Sequence, residues 1–155
     1  PKDVLVSFAV TLLISAAVSF VFDSFNSTLV TDMLVSLLIL ILSAFLFGYS
    51  YHLVNTGATT DVLAMDGFKA AGAGIGFSVG WFIEKHYIRF NPKNSHIALQ
   101  ILKVVLGLAG AIVIKSGLKL LLGNTMLSNT IRYAIVVLWI AVAYPLIIKK
   151  FFKEN

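Results

Sequence analysis

No cysteine occurs in the chain, which excludes disulfides, thiolate metal sites and cysteine nucleophiles. Charge is nearly as scarce. Asp, Glu, Lys and Arg make up 12% of the residues, half the share of about 25% typical of a soluble domain. Disorder, coiled coil and a disulfide-stapled secreted fold are excluded together, because the first two need a charged, hydrated surface and the third needs cysteine. No Gly-x-Ser-x-Gly, His-Glu-x-x-His or selectivity-filter sequence is present. His52, His86 and His96 have no metal-ligand spacing, so neither a metal nor a cofactor is expected.

What fills the chain is apolar. Hydrophobic residues make up 59% of the 155, and the mean hydropathy is +0.94. About 20 consecutive apolar residues cross the hydrocarbon core of a bilayer, and apolar windows with few or no charges recur along the sequence. They predict spans at 4–22, 33–54, 67–83, 97–122 and 131–148. No alternating polar–apolar dyads suggest a barrel. The reading is an all-α, polytopic integral membrane protein with about five transmembrane helices, forming one helical membrane domain over 1–155. The connections are too short for a separate soluble domain. Pro92 marks a turn before the fourth span, and Pro145 predicts a kink inside the fifth.

The formal charge of +5 does not point to nucleic acid, because no strip of interleaved basic and aromatic residues lies outside the apolar spans. Basic residues instead set topology. Lys85, Arg89 and Lys93 precede the fourth span, and Lys149, Lys150 and Lys153 follow the fifth. With five spans these segments share one side, which predicts a multi-pass protein of the cell membrane with a cytoplasmic C-terminus. Lys115, Lys119 and Arg132 count against that vote unless they snorkel to the outer headgroups.

Gly72, Gly76 and Gly80 repeat every fourth residue along the third span, a glycine zipper of two overlapping Gly-x-x-x-Gly units. Apolar side chains gain nothing by leaving lipid for a helix interface, so close backbone approach drives association. Gly107 and Gly110 offer small residues on the fourth span. The expectation is a tight, glycine-packed hairpin of helices three and four, with Gly80 level with Gly107. The same register sets Glu84 beside Lys103 as an intramembrane ion pair. At the opposite end Lys69, Lys115, Lys119 and Arg132 converge. Either they snorkel singly, or they bind an anionic headgroup such as a lipid phosphate.

The run from Gly67-Phe68-Lys69 through Gly76-Phe77-Ser78-Val79-Gly80-Trp81 to Glu84-Lys85-His86-Tyr87, then Lys103, Gly107-Leu108-Ala109-Gly110, Arg132-Tyr133, Leu138-Trp139 and Pro145, is similar to the C-terminal membrane region of bacterial type-2 phosphatidic acid phosphatase family proteins. The resemblance covers about residues 67–148 and implies a membrane region belonging to an enzyme that dephosphorylates lipid phosphates. The family's active site uses Lys-x6-Arg-Pro, Pro-Ser-Gly-His and Ser-Arg-x5-His-x3-Asp, with the last His as nucleophile. None of these is present: Ser43 is followed by Ala44, and Ser50 stands where the His would follow. Asp61-Val62-Leu63-Ala64 resembles the Asp-Val-Leu-Ala-Gly that often ends the last motif, but Met65 replaces its glycine. No catalytic residue carries over.

The sequence therefore predicts a non-catalytic accessory or interaction module. Its expected partners are membrane lipids and other membrane subunits or copies of itself. A small oligomeric transporter or channel using Glu84 and Lys103 is the first alternative. A lipid-phosphate phosphatase with an unrecognised site is the second.

Overall fold

The computed structural model describes residues 12–13, 28–89 and 97–151, apart from the side chains at 61, 63, 97–100, 102 and 151. The predicted first span apart from residues 12–13, the Pro92 turn and His96 lie outside the described residues. The chain divides into two compact units, Pro1–Asp32 and Met33–Asn155. In the first, Thr28 Oγ1 accepts from the Thr31 amide at 3.2 Å, satisfying one of the orphan donors at a helix start.

Every regular element among the described residues is helical. In chain order they are α1 (Leu29–Asn55), α2 (Asp61–Ile83), the π-helical turn π1 (Glu84–Ile88), α3 (Ile97–Leu122), α4 (Met126–Leu138), the π-helical turn π2 (Trp139–Ala143) and α5 (Tyr144–Phe151). The last three form one rod. Stretches at Leu29–Asn55, Lys103–Leu122 and Met126–Lys150 are long and apolar enough to cross a membrane. At 23 residues, α2 extends for about 34 Å, but small residues and polar ones lower its hydropathy below that of the others.

The reason is that α2 lies between two other helices. One of its faces carries Gly72, Gly76 and Gly80, and all three turn to the last rod rather than to α3. A Cβ at Gly72 would collide with the carbonyl of Thr130. One at Gly76 would lie 2.5 Å from the carbonyl oxygen of Ala134, and one at Gly80 2.7 Å from the Ala141 methyl carbon. Residue numbers rise together along both helices, so α2 and the rod run parallel. Gly107 and Gly110 meet the Tyr144 and Trp139 rings, and here numbers rise on one helix as they fall on the other, so α3 runs antiparallel to the rod. The expected glycine-to-glycine hairpin of helices three and four is thus replaced by two separate glycine interfaces on one hub. Small Thr130 and Ala134 complement the glycine stripe, whereas α3 receives large rings.

The opposite face of α2 meets α1. Ser36 Oγ donates to the Ser78 carbonyl at 2.7 Å, while Ser43 Oγ and Ser50 Oγ fill the space above Gly74 and Gly67. Phe68, fully buried, meets the Phe47 ring edge-on with centroids 5.1 Å apart. Interhelical contacts of this small-residue kind are how helices associate when lipid competes for apolar surface.

Buried Pro145 bears on the π turn. Proline inside a helix removes a donor and crowds the carbonyl four residues before it. The chain accommodates this by widening over Trp139–Ala143, with the Tyr144 amide bonded to the Trp139 carbonyl. The kink expected at Pro145 takes the form of a π turn. Trp139 Nε1 donates to the Gly107 carbonyl at 3.3 Å, and Tyr144 Oη donates to the Lys103 carbonyl, tying α3 to the widened segment.

Candidate functional site

The rod begins with an unusually polar turn. Thr125 caps it, its side chain accepting from the Ser128 amide at 3.2 Å. Ser128 Oγ donates to the carbonyl of Gly123 at 2.8 Å, and Gly123 has a φ of +71° that an L side chain rarely adopts. Thr130 Oγ1 donates to the Phe68 carbonyl at 3.2 Å, across the interface with α2. Removing the cap in Thr125→Ala is expected to cost about 1 kcal/mol, seen as a small fall in thermal midpoint in detergent with helix content unchanged.

Asn129 is completely buried. Its Nδ2 donates to the Thr125 carbonyl at 3.0 Å, to Asn124 Oδ1 at 3.2 Å and to Met65 Sδ at 3.0 Å. With the amide nitrogen so engaged, Oδ1 points the other way, where it accepts from Arg132 Nη2. Arg132 is only 4% exposed. Its Nε and Nη1 have no hydrogen-bond partner among the described residues.

The four cations expected to converge do so unequally. Lys115 Nζ stands 5.3 Å from the centre of the Tyr133 ring, and the Arg132 guanidinium stands 5.9 Å from the same ring. Lys69 lies within electrostatic reach of Arg132 and Tyr133, but its ammonium is held by Asp66 at 2.7 Å. Lys119, one turn beyond Lys115, is exposed. A shallow cavity of about 220 Å³, lined by Val62, Met65, Lys69 and Asn124, adjoins the Asn129 network through Met65 and Asn124. The arrangement is a positive, partly buried patch at the start of α4, flanked by α3 through Lys115 and by α2 through Met65, beside the cavity.

The sequence gives no role to Asn129, and it does not place Asn124 or Tyr133 among the candidate site residues. It predicts a fifth span from 131, which puts Asn129 in a loop. The helix in fact starts at Met126, so Asn129 and Arg132 sit one turn apart on one face. The spacing Asn-x-x-Arg was the available signal.

At the other end, Glu84 opens π1 and Lys103, 7% exposed, is buried on α3. Arg89 closes π1 in the left-handed conformation, with a φ of 49°, and Lys149 Nζ donates to the Ile88 carbonyl at 3.0 Å. Among the described residues no group of three or more His, Asp or Glu side chains could hold a metal.

No curated protein and no solved structure matches the chain. Residues 68–154 match the family described as PAP2 superfamily phosphatase, transmembrane extension. That stretch takes in most of α2, all of α3 and the whole rod, and with it Lys69, Lys115, Lys119 and Arg132. It spans more than half of the sequence, and the protein therefore belongs to the family of transmembrane extensions of the PAP2 superfamily phosphatases.

Proposed function

We propose that the chain is a non-catalytic membrane module of a lipid-phosphate phosphatase system, and that it holds an anionic lipid headgroup at the start of α4, where α2 and α3 flank it. The observation that carries this reading is the gathering of Lys115 and Arg132 over one Tyr133 ring, with Lys69 in reach. Like charges repel, so collecting them near a membrane surface is favourable chiefly when an anion joins them. Lys119 extends the positive field toward the headgroup region. The non-catalytic assignment rests on the sequence, which lacks the nucleophilic His motif and the paired Arg motifs of the resembled enzymes.

In the same reading five spans cross the cell membrane, the first over 4–22, with the C-terminus cytoplasmic. Close glycine packing holds the helices together. Glu84 and Lys103 form a register-fixing ion pair near the cytoplasmic end, which the burial of Lys103 supports.

The test is purification in mild detergent, identification of retained lipids by mass spectrometry, and a phosphate-release assay over a panel of lipid phosphates. Retained anionic phospholipid without phosphate release is the expected result. Release of phosphate that is lost in Lys115→Ala would make the protein an enzyme with its own site and overturn the reading. Ion flux in liposomes that is lost in Glu84→Gln would transfer it to transport.

A further inference from the structure

We propose that Arg132 is the group that contacts the ligand, that the ligand presents a phosphate oxyanion, and that Asn129 is the positioning residue that aims the guanidinium. This rests on the headgroup reading and assigns unequal roles to the four cations that reading invokes.

A guanidinium stays charged at any accessible pH and carries five N–H donors in a rigid plane. In Arg132 one of these is given to Asn129 Oδ1, while Nε and Nη1 have no partner among the described residues in an environment that leaves Arg132 4% exposed. Nη2 has two hydrogens, one directed toward the Nε side and one toward the Nη1 side. Whichever is committed to Asn129, the other still forms a complete two-donor edge with an unpartnered neighbour. That edge matches the oxygen spacing of a phosphate.

Asn129 cannot serve as the counter-ion, because a neutral amide supplies a dipole and no charge. Its three Nδ2 contacts fix which way Oδ1 faces, so it holds the guanidinium plane in one orientation. The nearest carboxylate–ammonium pair is already closed: Asp66 holds Lys69. The charge left to be met is that of Arg132 and Lys115, which both lie over the Tyr133 ring. Two positive charges suit an anion carrying one to two negative charges. A phosphocholine headgroup, which brings its own cation, is disfavoured beside Lys115. The oxyanion could belong to an anionic phospholipid or to free phosphate, since the donor edge is the same for both.

The experiment uses the full chain in phosphatidylcholine nanodiscs, titrated with phosphatidylglycerol in one arm and with inorganic phosphate in the other. Binding is read by native mass spectrometry and by the Nε–H resonance of Arg132. Arg132→Gln is expected to weaken binding by about tenfold or more, and Arg132→Lys by nearly as much, because an ammonium keeps the charge but lacks the planar edge. Asn129→Ala is expected to weaken binding several-fold and to broaden or shift the Arg132 Nε–H signal before ligand is added. Lys69→Gln and Lys119→Gln are expected to weaken it about two- to threefold at low salt, a loss that fades when sodium chloride screens the field, unlike that of Arg132→Gln. Saturation by phosphatidylglycerol alone assigns a lipid source; saturation by inorganic phosphate alone assigns a soluble one. Either supports the site. Equal losses in Arg132→Gln, Lys69→Gln and Lys119→Gln would overturn the Arg132 assignment and leave the headgroup reading standing. Tight binding to Arg132→Gln would do the same. A wild-type protein that binds neither probe would overturn both.

Discussion

Gly72→Val is expected to disrupt the fold outright. A Cβ at this position would collide with the carbonyl of Thr130 and come within 2.8 Å of its Cα. The obstacle is backbone in the middle of a packed interface, so no rotamer change relieves it and α2 must separate from α4. Overpacking a core usually costs about 1–3 kcal/mol; against main chain, with two further carbons added beyond Cβ, the cost reaches or exceeds the top of that range. At about 2–4 °C per kcal/mol for a chain of this size, the thermal midpoint in detergent falls by roughly 10 °C or the protein aggregates on extraction. The same substitution at Gly117, where nothing lies within 4 Å, is the control and should leave the midpoint within a few degrees. Equal behaviour of the two variants would mean that the α2–α4 interface is not what holds the bundle.

That interface also shows where sequence reasoning succeeds and where it stops. Helices were legible because apolar windows with few or no charges have few other outcomes. Three candidate spans coincide with readings made from the sequence, and the glycine stripe at 72, 76 and 80 was visible as a close-packing surface. Its partner was not. Neighbouring spans were assumed to pair, but two helices separated by a third run parallel and can pack just as closely. The complementary signal, Thr130 and Ala134 four residues apart, lay partly in what read as a loop. Similarly, Ser36, Ser43 and Ser50 recur every seventh residue on α1. Ser43 and Ser50 read from the sequence only as positions of a missing motif, whereas in the fold all three serines lie against the opposite face of α2. At the candidate site the cations were legible from charge alone. The asymmetry among them was not, because it depends on which side chains close on one another: Asp66 on Lys69, and Asn129 on Arg132.

Arg132→Met is expected to stabilise the protein when no anion is present and to lose that advantage when one is. Burying the guanidinium at the start of the rod costs desolvation, and leaving its donors without a partner among the described residues brings the penalty to about 1–3 kcal/mol. Methionine has an unbranched apolar side chain that can fill the guanidinium's path without either cost. Against this, Asn129 Oδ1 loses its donor, at about 1 kcal/mol or more. The net gain expected in a neutral detergent is up to about 2 kcal/mol, a rise of up to a few degrees in midpoint. Adding phosphatidylglycerol stabilises only a protein that binds it, by RT ln(1 + [L]/Kd), which is about 2.7 kcal/mol at a hundredfold excess over Kd. The wild-type midpoint should therefore rise with anionic lipid and overtake that of the variant, while the Arg132→Met midpoint stays flat. Two curves that cross locate a charge kept for a ligand at the expense of stability. A variant less stable at every lipid composition would instead show that the Asn129–Arg132 contact is itself what holds the start of the rod against α2.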